Sequence, residues 1–323
     1  MLARLARELV PAAKCPLSLS NTLESLCHSS RLSLGDDRAN IGAVYSRLVA
    51  PCLSARTSIL VPEPEVASNS FLTVSIKFHD HPNLILPDYF SGLGYILSLQ
   101  HYGPLSLIQR IKLLALYAKV CKLSSPLVQS RAPTTVQLLW VSSPHSTDNR
   151  VVLGSSLAWT KIRAHFQMAR TVREGILRGL WGDSLINPTP MQACFPNPTG
   201  ALFGTCWGDC AEAISLSAFW KHVAAGTPLR TLALNVAAMN AADPLTGLSA
   251  CDVILDSTIT LNLQEIVGIL TRANAFRPMC KNCEHICDTA GADVVDCACP
   301  DLVFWRQLDS LAAPEPQAIF AGG

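Results

Sequence analysis

The stretch Gly208-Asp209-Cys210-Ala211-Glu212-Ala213-Ile214-Ser215-Leu216-Ser217-Ala218-Phe219-Trp220, read with Pro278-Met279-Cys280-Lys281-Asn282-Cys283, decides the fold. Asp209 is a cap candidate before a buried run carrying Ile214 and Phe219, and Phe276 to Cys287 opens another helix, so cysteines stand at two helix starts. Leu229 to Val236 predicts a strand between these helices, and Ala292 to Cys297 predicts one after the second. Upstream, Met191 to Phe195, the turn Pro196 to Gly200 and Ala201 to Trp207 predict a hairpin. Residues 237 to 275 read as an insertion with its own helix, Leu261 to Ala273, on Leu263, Ile266, Val267 and Leu270. Strands alternating with helices predict an α/β domain.

The placement of the cysteines has a chemical reason. A thiolate is the form that binds zinc, and the unsatisfied N–H groups at a helix start stabilise it. Cys280 and Cys283 fit one helical turn around a single ion, and Cys210 supplies a third sulfur, leaving the fourth tetrahedral position for water. Glu212, two residues beyond Cys210, is then free to move protons.

Cys210-Ala211-Glu212, followed after a strand by Pro278-x-Cys280-x-x-Cys283, resembles the zinc signature of the cytidine-deaminase-like superfamily. The hairpin with Gly200 in its turn looks like that family's first two strands, and the resemblance covers residues 190 to 300. The chain also resembles larger members, common in fungi, that carry long helical N-terminal extensions. The resemblance implies a three-layer α/β/α sandwich and a Zn2+ ion held by Cys210, Cys280 and Cys283. It also implies hydrolytic deamination, in which zinc-bound hydroxide attacks the amidine carbon of a base, ammonia leaves and Glu212 shuttles protons. The chain departs from the pattern at Met279, which separates Pro278 from Cys280, and at Glu284, where a basic residue is often seen. No segment matches the ribose-binding asparagine and glutamate of the free-cytidine enzymes, so a nucleotide or nucleic acid is the expected substrate.

A second reading of the same cysteines is non-catalytic. Cys280 and Cys283 with two of Cys287, Cys297 and Cys299 would close a four-thiolate structural zinc site, leaving Glu212 no proton to carry. A degenerate deaminase serving as an interaction module belongs to the same class. Cys194, Cys206 and Cys251 read as small buried hydrophobes, His285 as a helix-surface residue, and His79 and His81 as a polar loop.

Charge divides the chain near the hairpin. Residues 1–185 carry 19 Lys+Arg against 11 Asp+Glu, a surplus of +8, whereas 186–323 carry 6 against 13, or −7. These are the expected domains: a mostly α-helical basic N-terminal region, with 1–70 partly irregular around an extended Val61 to Glu65 linker, and a deaminase-like domain over 186–323. One N-terminal helix places Leu107, Ile108, Ile111, Leu114, Ala115 and Ala118 opposite Gln109, Arg110, Lys112 and Lys119. Another, Ala158 to Gly179, turns Trp159, Ile162, Phe166, Ala169 and Ile176 inward. Its outer face of Lys161, Arg163, Arg170, Arg173 and Arg178 is a solvated surface or a contact for the phosphates of a nucleotide or nucleic acid.

With 49% hydrophobic residues and 15% charged, the chain has material for a core, and its net charge of +1 excludes a uniformly basic nucleic-acid coat. Thirteen cysteines, an odd number without a secretory leader, fit a reducing compartment. No membrane span is expected, because Leu93 to Val120 is broken by His101, Arg110 and Lys112. Cytoplasm or nucleus is the expected location; Met1 to Val10 carries only a weak mitochondrial presequence pattern.

Overall fold

A computed structural model describes residues 2–28, 36–54, 74–78, 81–100, 105–142, 151–159, 163–183, 186 and 206–298. In chain order these form α1 (Leu2–Ala12), α2 (Pro16–His28), α3 (Asp36–Val44), one π turn (Tyr45–Val49), α4 (Ala50–Ser54), β1 (Val74–Phe78), β2 (His81–Leu86), α5 (Tyr89–Ser98), α6 (Leu107–Ser124), β3 (Thr135–Val141) and β4 (Val151–Ser155). There follow α7 (Arg163–Trp181), α8 (Glu212–Ala218), α9 (Trp220–Ala224), β5 (Leu229–Asn235), α10 (Val236–Asn240), α11 (Ala250–Leu255), α12 (Leu263–Arg272), α13 (Lys281–Ala290) and β6 (Val294–Asp296).

The four-stranded sheet, ordered β4-β3-β5-β6, organises the molecule. β3 reads Thr-Val-Gln-Leu-Leu-Trp-Val and is buried from its second residue onward, as a strand with a neighbour on each side and a helix over each face must be. It runs antiparallel to both β4 and β5, and β5 runs parallel to β6. The α/β class therefore holds, as do the expected strands at Leu229 and Ala292 and the expected helices α12 and α13. β1 and β2 form a separate antiparallel pair.

The hairpin pairing with β5 is made by β3 and β4, so the sheet is continuous across the expected boundary between residues 185 and 186. Met191 to Gly200 lie outside the described residues, and Trp207 sits in a turn rather than a strand. Residues 1–70 also hold more regular structure than expected: α1 to α4 are short helices that each bury a few apolar side chains, Leu5, Leu9, Leu19, Leu23 and Leu53 among them, in a shared core. α1 does show a helical period, with Leu5, Leu9 and Ala12 on its buried side, whereas α3 and α4, of nine and five residues, carry too few turns to show one. Val61 to Glu65 lie outside the described residues.

Strand alternation shows which helix covers which face. Trp140 of β3 lies under Arg110 of α6, whereas Gln137, an odd number of residues away, accepts a 2.5 Å hydrogen bond from Ser215 of α8. Helices α6 and α8 thus cover opposite faces. Gln137 also donates through Nε2 to Thr231 of β5, so one buried amide ties β3, β5 and α8 together. Helix α6 starts at a capping box formed by Ser106 and Gln109, and it is buried on most sides because α1 packs on it from outside the sheet. Arg110, expected outside, is buried because it faces the sheet, over Trp140. Among the described residues no helix is long and apolar enough to cross a membrane.

α8 meets the sheet through a glycine. A Cβ built on Gly154 of β4 would stand 2.2 Å from the carbonyl oxygen of Ala211, so the chain entering α8 can lie on the strand only because residue 154 has no side chain. Gly154→Ala is expected to lower the unfolding free energy by about 1–3 kcal/mol, the usual cost of forcing extra volume into a packed site. An unchanged urea midpoint would show that the Cys210 segment does not rest on β4.

Candidate metal centre

Two segments deliver the thiols. The first is the turn Gly208 to Ala211 between the end of α7's packing partners and α8; Gly208 has φ +83°, and a Cβ there would meet the Cβ of Arg173 at 2.9 Å. The Asp209 carbonyl accepts from Leu157 N–H at 2.9 Å, laying this turn beside the extension of β4. The second segment leaves α12 and runs along the upper part of β5: Asn235 N–H donates to Ala275 and Arg277 N–H to Ala233, at 2.7 and 3.0 Å. Met279 N–H then donates to Asp296 Oδ2 at the end of β6, at 2.7 Å. Both strands that flank the second segment therefore fix Cys280 at the start of α13.

The result is one cluster. The sulfurs of Cys210, Cys280 and Cys283 and a carboxylate oxygen of Glu212 all lie within 4.8 Å of one another, and the four residues could hold a metal ion. Cys210 and Cys280 approach most closely, Sγ to Sγ 2.9 Å, and Cys283 Sγ lies 3.9 Å from Glu212 Oε2. Thiolates bonded at about 2.3 Å around one tetrahedral ion stand about 3.8 Å apart. The cluster fits that size after the Cys210–Cys280 pair opens by about an ångström. A sulfur-rich set of this kind suits a soft or borderline divalent ion.

The same residues set the local charge. Thiols of Cys210 and Cys283 donating to the Cys280 sulfur hold it as a thiolate, down to about 3, and the backbone N–H groups of Cys283 and Asn282 add to this. The same contacts hold Cys210 and Cys283 well above the usual thiol range. Glu212, 4% exposed, is pushed up to about 8 by burial first and by the Cys280 thiolate second. A divalent cation among these groups would act oppositely, stabilising every deprotonated ligand.

Arg173 holds the first segment in place. Its guanidinium is 0% exposed; Nη1 donates to the carbonyls of Ser155, Gly208 and Cys210 at 2.9, 3.4 and 3.4 Å, and Nη2 to Asp88 and Ser91 at 2.8 and 2.9 Å. This corrects the basic outer face expected for the helix. Arg170 is bidentate on Asp209, at 2.8 and 2.6 Å, and Arg178 pairs with Glu174 and Asp183. Asp209 consequently does not cap α8, and neither Arg170 nor Arg173 is free to meet a phosphate. Their partners Asp88 and Asp209 lie 85 and 39 residues away, which helical spacing cannot reveal. Trp159, expected inward, precedes α7 and is half-exposed, whereas Phe166, Ala169 and Ile176 are buried as expected. The side chains of Lys161 and Arg163 lie outside the described residues.

The other cysteines are elsewhere. Cys287 faces the sulfur of Met279 at 4.0 Å, Cys297 donates to the Val295 carbonyl on the edge of the sheet, and Cys251 is buried against α6. Among the described residues the four-thiolate site on Cys287 and Cys297 is not assembled, and His285 is not in the cluster. Cys194, Cys299 and His79, and the side chain of His81, lie outside the described residues. Sequence reasoning missed the positioning roles of Arg173 and Asp296, and no local pattern marks either. No family model, curated protein or solved structure matches the chain.

Two outcomes follow. Cys280→Ser is expected to reduce bound metal to well below one ion per chain by elemental analysis, while Cys287→Ser keeps it; metal loss from the Cys287 variant would move the site. Arg173→Met strips the buried partner from Asp88 and three carbonyls, and is expected to cost roughly 3 kcal/mol or more in urea unfolding. A near-neutral result would remove Arg173 as the anchor of the Cys210 segment.

Proposed function

We propose that the chain is a zinc-dependent hydrolase that removes the amino group of a nucleobase in a nucleotide or nucleic acid. In this reading Cys210, Cys280 and Cys283 hold Zn2+ and Glu212 carries protons. The observation that carries it is the convergence of three sulfurs and one carboxylate from two helix starts seventy residues apart. Zinc is favoured over other ions because three thiolates in a tetrahedral space leave one corner open. When bound there it would supply an activated water and a Lewis acid.

The remaining chemistry belongs to the chain. Glu212 stands in the first turn of α8, buried beside Cys283 and without a basic partner among the described residues, so its carboxylate can take one proton from an attacking water and give it to a ring nitrogen, then take the second from the hydroxyl so formed and give it to the leaving amine. Its depth keeps competing water out and strengthens the interaction of the carboxylate with developing charge. The order β3–β4 hairpin, α8, β5, α13, β6 supports the same reading, with a hairpin at 135–155 pairing with β5. Arg170 and Arg173 are each paired with a carboxylate of the chain, so this reading does not rest on them to recognise phosphate.

One observation favours a second reading. Because the Glu212 carboxylate lies within ligand reach of all three sulfurs, it could serve as a fourth ligand and close a structural site. Glu212→Ala separates the two. The proposal expects the variant to retain one zinc ion and its melting temperature while ammonia release falls about a hundredfold or more. The substrates to assay are cytidine and adenosine monophosphates and single-stranded oligonucleotides. Loss of zinc from the variant would establish the closed site, and equal ammonia release by variant and wild type, or none by the wild type, would discard the enzyme.

A further inference from the structure

On the sheet face covered by α6, away from the thiol cluster, stand two arginines without a counter-charge among the described residues. Arg110, in the first turn of α6, is 8% exposed and stacks over the Trp140 ring, 5.0 Å from its centroid. Its Nε is buried with no hydrogen-bond partner. Burial draws its pKa down to about 10, which still leaves it charged at neutral pH. Arg230 of β5 stands directly opposite Trp140 in the strand register and hence on the same face. Its Nε is also buried and unpartnered, and its Nη1 reaches only the carbonyl of the preceding Leu229, at 3.0 Å. Both guanidinium groups act on the buried thiol of Cys297, where the chain leaves β6. The ion pairs among the described residues leave both arginines out.

Holding buried Arg110 and half-buried Arg230 on one sheet face is costly unless a negative charge joins them. The cation–π contact with Trp140 offsets part of that cost for Arg110, but leaves the hydrogen-bonding edge of the guanidinium unused. Two forked donors on one sheet face, both within reach of Trp140 and Cys297, match the oxygens of a tetrahedral oxyanion, which takes paired N–H bonds from each fork.

We propose that Arg110 and Arg230 form a binding site for a small phosphate-type oxyanion between α6 and the β5–β6 edge of the sheet. The bound anion joins a helix to the strand end whose Asp296 holds the amide of Met279, so its occupancy steadies the segment carrying Cys280 from the far side of the sheet. The site stands independently of the reaction assigned to the thiol cluster.

The test is isothermal titration of the full-length, metal-loaded protein with inorganic phosphate, paired with thermal unfolding in phosphate or chloride at equal ionic strength. Phosphate is expected to bind with saturation and to raise the melting temperature above the chloride value. Arg110→Gln and Arg230→Gln should each weaken binding roughly tenfold or more, as loss of charge-assisted hydrogen bonds does. Arg272→Gln, on the exposed face of α12, should leave it unchanged. Should Arg110→Gln fail to fold, the wild-type titration and Arg230→Gln decide. Phosphate behaving as chloride does, or binding retained in full by the arginine variants, would overturn the site.

Discussion

Arg173 brings a full charge to a place where no solvent reaches, and the surrounding chain is arranged to answer it. The carbonyl at the end of β4, the carbonyls of the turn before α8, and the carboxylate and hydroxyl at the start of α5 all converge on one guanidinium. These groups come from three separate regions of sequence, so satisfying the arginine registers α5, β4 and α8 against one another. Gly154 and Gly208 provide the clearance that lets the backbones come this close. The position of Cys210 is thus set by backbone hydrogen bonding to a buried cation, and its sulfur is presented to α13 before any ligand is considered.

The candidate site was legible largely because its residue types are rare in combination and their spacing is local. Cys210-Ala211-Glu212 and Cys280-x-x-Cys283 each lie at a helix start, and α12, α13, β5 and β6 occur where hydrophobic period and flanking turns place them. What was not legible depends on distant partners. β3 is a central strand covered on both sides, so it is apolar throughout and lacks the alternation that marks a half-exposed strand. The β3–β4 pair is joined by a connection with no tight-turn signal in the sequence, and only its pairing with β5 marks it. The basic stripe of α7 likewise has the composition of a solvated face, and only the tertiary placement of Asp88 and Asp209 turns it inward.

Met279 and Glu284, which flank the cysteine pair of α13, are each accommodated locally. Met279 buries its side chain against Cys287 and gives its N–H to Asp296. Glu284 adds negative charge after Cys283, and the neighbouring Lys281 pairs with it on the outer side of α13. Neither residue moves a sulfur out of the cluster.

Cys210 and Cys280 are separated by 70 positions, and the intervening chain contains β5 and the helices from α8 to α12. An ion gripping both ends would therefore act as a cross-link on the denatured chain, closing a long loop and removing configurational freedom. Treated as a covalent bridge of that span, the closure is worth about 4 kcal/mol. Loading the centre and acquiring the tertiary structure then become a single thermodynamic event, with the ion's affinity distributed over half the sheet rather than confined to its ligands.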